Sequence, residues 1–161
     1  MLKVLAAAAA LLALCVAPIA AGEQEVEARD NGQIEFTMPS GNIGCLYTPV
    51  GGTDVYEPAG GGPELICERV EPSYVTVILG AEGEAEVVED PGEQSCCGAE
   101  NMFEYGNTIT LEGFICTSAT TGLSCESDTG YGFSMARAGI ETFGPEDDGA
   151  EESEDEDEAD D

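Results

Sequence analysis

The stretch Thr108–Cys125, TITLEGFICTSATTGLSC, decides the fold. Three short runs, Thr108–Leu111, Phe114–Thr117 and Gly122–Cys125, mix apolar with polar residues, mostly in alternation, and are separated by the breaks Glu112-Gly113 and Ser118–Thr121. Alternation with a period of two is a strand pattern. Cys116 and Cys125 fall in adjacent strands joined by SATTGLS, where cross-strand side chains approach closely. The spacing predicts a disulfide between them.

The same pattern extends outward in both directions. Upstream, IEFTM (34–38) alternates with Ile34, Phe36 and Met38 on one face. The cluster Pro39-Ser-Gly-Asn42 is a turn, and NIGCLYT follows as a strand. PVGGTDVYEPAGGGP (49–63) is glycine-rich and reads as a loop, and ELICERV (64–70) as the strand after it. YVTVIL (74–79) and Ala85–Val88 flank the turn Gly80-Ala-Glu-Gly83, which predicts a hairpin. Downstream, Tyr131–Met135 is the last expected strand, with a short helical turn near Ala136 to Ile140. No longer helix and no repeat is visible. The fold class is all-β: a small, disulfide-stapled antiparallel β sandwich or barrel-like domain over residues 33–143. A domain of about 110 residues buries a modest core. Its candidates are Phe36, Ile43, Leu65, Val75, Val77, Leu79, Val87, Ile109, Leu111, Phe114, Leu123 and Phe133.

The ends differ from this body. Residues 1–22 carry one lysine, Lys3, then an apolar run from Val4 to about Val16, then Pro18 and small residues. That is the layout of a signal peptide, with cleavage expected after Ala21 or Gly22. The run is too short for a membrane span of about 20 residues, so no membrane insertion is expected after cleavage. A lipid-attachment cysteine normally follows a small residue, whereas Cys15 follows Leu14. Residues 23–32, EQEVEARDNG, read as a flexible arm. Residues 144–161 have no apolar face and repel themselves, so a disordered acidic tail is expected.

The charge balance is extreme: 34 Asp and Glu against 4 Lys and Arg, no histidine, and a net charge of −30. Such a charge keeps a protein hydrated and monomeric. It disfavours nucleic acid, which needs a basic surface, and anionic lipid for the same reason. Weak divalent-cation binding by the tail is expected. High salt should stabilise the chain by screening its self-repulsion.

Export places the chain in the periplasm or the extracellular medium, where cysteines default to disulfides. Cys45 and Cys67 lie in two strands separated by the glycine-rich loop and are expected to pair. Each such closure stabilises by about 3 kcal/mol in the chain-entropy model. Cys96 and Cys97 are then left with each other. Adjacent Cα atoms lie about 3.8 Å apart, closer than the usual disulfide span. Ser95 and Gly98 suggest a turn in which a vicinal ring could close. Pairing with the other cysteines and two free thiols are the alternatives. A thioredoxin-like site lacks its Cys-x-x-Cys at a helix start, and zinc lacks histidine and a second paired motif.

Three motifs together resemble a known group: Phe36-Thr-Met-Pro-Ser-Gly-Asn-Ile-Gly-Cys45, then Cys67-Glu-Arg-Val-Glu-Pro-Ser-Tyr74, and Tyr105-Gly through Gly130-Tyr-Gly-Phe-Ser-Met-Ala-Arg137. They are similar to an uncharacterised family of small secreted bacterial proteins, a domain of unknown function with PSGNIGC and Gly-x-Gly-Phe motifs. The resemblance spans about residues 34 to 143. It implies a disulfide-stapled β fold and carries no catalytic residue, ligand or cofactor.

The available chemistry is narrow. Without histidine there is no Ser-His-Asp or Cys-His nucleophile, and the expected mature chain has no lysine for a Schiff base. No catalytic residue, metal site or cofactor is assigned. Glu126-Ser-Asp-Thr-Gly130 offers oxygens in a turn, but no ordered calcium-loop motif is present. The glycines of PSGNIG and GYGF precede strands, not the helix that a phosphate cradle needs. The reading is an exported, non-enzymatic β domain that binds a protein or envelope component. The exposed loop Gly51–Pro63 with Tyr56 is the expected contact, and Tyr131 and Arg137 are further candidate binding residues. Arg137 is expected to sit partly buried against a carboxylate such as Glu126 or Glu141. A carboxylate-based hydrolase and a cation-buffering or surface-hydrating protein acting through its tail are the alternatives.

Overall fold

A computed structural model describes residues 22–93 and 96–145. Among these described residues, twelve strands form two six-stranded sheets. They are β1 (Gly22–Glu23), β2 (Ile34–Thr37), β3 (Ile43–Thr48), β4 (Glu64–Arg69), β5 (Val75–Gly80), β6 (Glu86–Glu89), β7 (Asn101–Met102), β8 (Asn107–Leu111), β9 (Phe114–Ala119), β10 (Gly122–Ser127), β11 (Gly132–Ala136) and β12 (Gly139–Phe143). The first sheet runs β1-β8-β9-β10-β11-β12 and the second β6-β5-β4-β3-β2-β7. The fold is all-β, as the alternation predicts. Every pairing is antiparallel except two short ones at sheet edges: β1 on β8 and β7 on β2 are parallel.

Alternation sends one residue of each cross-strand row to the core and the next outward. The core row of the first sheet runs Ile109, Cys116, Cys125, Phe133. That of the second runs Phe36, Cys45, Cys67, Val77. Both cysteine pairs therefore stand directly opposite one another, with Cα atoms 4.1 Å apart, and both form the expected disulfides inside the core. The sheets meet through aromatic edges: Tyr47 on Phe114 with centroids 6.2 Å apart. Arg69, buried at the end of β4, crosses the sandwich and donates from Nη1 to the Ala136 carbonyl at 2.7 Å.

Eleven of the twelve expected core residues are buried. Val87 is the exception, 40% exposed, because β6 is an edge strand with nothing packed beyond it. Phe103 and Met135 join the core unannounced, and so do Met38 and Tyr47.

Two other expectations need correction. Residues 136–140 are no helical turn: Ala136 pairs with Gly139, so Arg137 and Ala138 form a two-residue hairpin loop between β11 and β12. Ile140 pairs with Met135 on the continuing strand, and that alternation, not local propensity, decides the conformation. The arm at 23–32 is tied down at its start. The Gln24 backbone N–H donates to Thr108 at 2.8 Å, and the Asn101 side chain donates to the Glu27 carbonyl at 3.0 Å. The expected signal peptide, except Gly22, and the expected tail from Glu146 onward lie outside the described residues.

Candidate functional site

The outward row of the second sheet reads Glu35, Leu46, Ile66, Ile78, Glu86 across five strands. Its neighbour row reads Thr37, Gly44, Glu68, Thr76, Val88. Three aliphatic side chains side by side on an outward face need a cover or a ligand, since their exposure to water is unfavourable.

Both ends of this face are covered. At one end, Thr48 and Glu64 are buried although they point outward. The β3–β4 connection folds back here, with Gly51 donating to Gly61 at 3.0 Å. Tyr56 anchors it, its hydroxyl donating to Glu64 Oε1 at 2.5 Å. That hydrogen bond, burial and the nearby carboxylate push the Tyr56 phenol up to about 12.

At the other end lies the segment Cys96-Cys97-Gly98-Ala99. Cys96 and Cys97 are bonded to each other, so cross-pairing with the core cysteines does not occur. The vicinal pair rests directly on Gly44. A Cβ built there would come within 2.9 Å of Cys96 Sγ and 3.0 Å of Cys97 Sγ. Only glycine lets the segment lie this close. Cys96 Sγ also lies 3.7 Å from the Glu68 carbonyl oxygen, and the Ala99 N–H donates to Thr37 Oγ1 at 3.2 Å.

Beside the vicinal pair a cleft of about 470 Å³ remains. Leu46 and Ile66 line its floor, the vicinal disulfide one wall, and Glu35 and Glu68 its polar edge. Glu35 is engaged in an ion pair with Arg29. The cleft thus offers apolar, polarisable surface with carboxylates at the rim.

The sequence-derived binding residues are not brought together here. Tyr56 serves as the anchor of the loop, 41% exposed. Tyr131 is half-buried against the core, and its ring packs where a Cβ on Gly144 would have to go. Arg137 is not partly buried against Glu126 or Glu141. It sits in the β11–β12 loop, exposed, and pairs with Glu71 at 3.1 Å. A hairpin loop of two residues keeps its side chains in solvent, which is why the buried pairing fails. The oxygens of Glu126–Gly130 serve the β10–β11 turn: Ser127 and Thr129 hydroxyls lie 3.0 Å apart, and Thr129 donates to the Ala81 carbonyl.

Gly44, Leu46, Ile66 and Ile78 were not singled out by sequence reasoning. Their signal was present: IGCLY, LIC and VIL place apolar residues at consecutive positions, which marks a strand covered on both faces. No family of proteins, curated protein or solved structure matches this chain. The two core disulfides fit an oxidising environment, and no helix among the described residues is long and apolar enough to cross a membrane.

Proposed function

We propose that the chain is an exported, non-enzymatic binding domain of the periplasm or extracellular medium, and that it captures a protein or envelope component on the outward face of its second sheet. The observation that carries this reading is the cleft over Leu46 and Ile66, walled on one side by the vicinal disulfide segment that rests on Gly44. A preformed apolar concavity with a few polar edges is the usual form of a binding site. The paired cysteines and the leader-like first 22 residues support export. The partner presents an apolar group to the floor, while the carboxylate rim sets its orientation.

The test is capture from envelope extract on immobilised full-length protein, at low and at high salt. The wild type should retain the same partner in both, because an apolar contact survives screening. Ile66→Glu should lose it while still folding. A partner held only at low salt, or held equally by Ile66→Glu, would place binding elsewhere on the acidic surface.

A further inference from the structure

A second cleft, of about 460 Å³, opens between the N-terminal segment and the β8–β9 hairpin. It shares no lining residue with the disulfide cleft. One wall is Glu23 to Val26, locked in place by Gln24. The Gln24 side chain donates to the Met102 carbonyl at 2.6 Å and accepts from the Glu104 N–H at 3.0 Å and from Asn107 Nδ2 at 3.1 Å. The opposite wall is Leu111 and Glu112, and Ile34 and Tyr47 form the floor.

Tyr47 is the unusual residue. It is only 4% exposed, yet its hydroxyl has no hydrogen-bond partner among the described residues. A buried phenol normally finds one. Among the described residues, Arg69 Nε is the only fully buried side-chain polar atom left without a partner. The Tyr47 oxygen therefore keeps an opening to solvent, and the cleft that Tyr47 lines is that opening. Burial, and then the carboxylate of Glu112, push this phenol up from its ordinary value. It stays neutral at pH 7, with one proton to give and lone pairs to accept. Glu23, Glu25 and Glu112 add three carboxylates, and no basic side chain lines the space.

We propose that this cleft binds a primary alkylammonium group, as carried by a lysine side chain or a free diamine. The ammonium donates to the Tyr47 hydroxyl and to Glu112, and the alkyl stem lies on Ile34 and Leu111. An ammonium brings three donors and no acceptor, which suits a phenol oxygen with the Glu112 carboxylate nearby. A hard divalent ion would want six or more oxygens, and no group of three or more His, Cys, Asp or Glu among the described residues is placed to hold a metal. The apolar floor has no use for a bare ion, whereas a stemmed cation uses both parts of the site.

The test uses the full chain in 150 mM salt, where the Debye length of about 8 Å suppresses diffuse attraction to a chain of net charge −30. 1,5-Diaminopentane and Nα-acetyl-lysine amide are titrated separately, with the Tyr47 ring resonances and the binding isotherm as readouts. Both amines should saturate and move the Tyr47 ring. The tighter of the two identifies the source as a free diamine or a lysine side chain. Tyr47→Phe keeps the ring packing and should weaken binding about tenfold, the value of a hydrogen bond to a charged group. Glu112→Gln should weaken it about threefold, as expected for a part-exposed ion pair. Neither 1-pentanol nor calcium at equal concentration should compete. Unchanged affinity in Tyr47→Phe, equal displacement by calcium, or no movement of the Tyr47 ring in the wild type would each overturn the proposal. The last holds even if a variant fails to fold.

Discussion

The two sheets are alike inside and unlike outside. Each core row carries a disulfide between directly opposed strands, flanked by apolar residues. Outward, the first sheet presents a row of hydroxyls: Thr108, Thr117, Ser124 and Ser134, then Glu141. They contact one another, with Thr108 and Thr117 at 3.4 Å and Ser134 donating to Ser124 at 3.3 Å. The second sheet presents Leu46, Ile66 and Ile78 in the equivalent row. A hydroxylated face is content in water, and none of the described loops is seen to cover its central row. An aliphatic face is not, and here the chain spends two loops covering its ends while leaving the centre as a cleft. Strand alternation thus makes the two cores alike and leaves the two outer faces free to differ.

The largest effect should come from the inside, where the sheets are equivalent. Replacing both Cys116 and Cys125 by serine, or both Cys45 and Cys67, should each cost about 3 kcal/mol in denaturant unfolding. One pair costing little would break the equivalence. Gly44→Val comes next. Its side chain must push the vicinal pair off the sheet, for about 1–3 kcal/mol of overpacking. Hydrogen exchange should rise at Ala99, whose N–H bonds Thr37. Unchanged exchange there would mean that the cover does not rest on Gly44.

Exchanging the faces sharpens the comparison at smaller cost. Ile66→Thr and Thr117→Val should each change stability by less than about 1 kcal/mol, yet only Ile66→Thr should weaken partner capture. Equal loss from both would show that the outer faces do not divide the work.

The smallest effect concerns the loop anchor. The Tyr56 phenol lies at about 12, against an ordinary value of 10.0. The folded state therefore holds this proton more tightly than the unfolded chain does. The resulting stability is complete below pH 10 and is lost as pH rises from 10 to about 12. Tyr56→Phe should flatten that part of the alkaline decline in Tm. An unaltered decline would show that the anchor contributes nothing to the cover.

Much of this was legible because it is local. Cys116 and Cys125 fall on alternating positions on either side of a short turn, and so their meeting follows from strand geometry. Cys45 and Cys67 needed only the assumption that the intervening glycine-rich segment loops back. Arg137 and the chain after it were misread for the opposite reason. Ala136 to Ile140 has no strong local preference, and its strand exists because Ile140 finds Met135 across a hairpin. The candidate site was missed because each of its parts is ordinary alone. Gly44 reads as one more glycine until Cys96 and Cys97 are laid on it.

The sequence by itself determined the all-β class, the positions of nine of the strands, and the two core disulfides. Period-two alternation, turn residues and cysteine spacing act over a few residues and leave few alternatives. Only the tertiary structure decided how the strands divide into two sheets, which outward face is covered, and where the Tyr47 hydroxyl opens. Those outcomes depend on segments far apart in the chain: residues 96–99 returning to Gly44, and residues 23–26 docking beside Glu112. Alternation says which side chains share a face. It does not say what will come to rest on that face, because that contact is made by residues it does not contain.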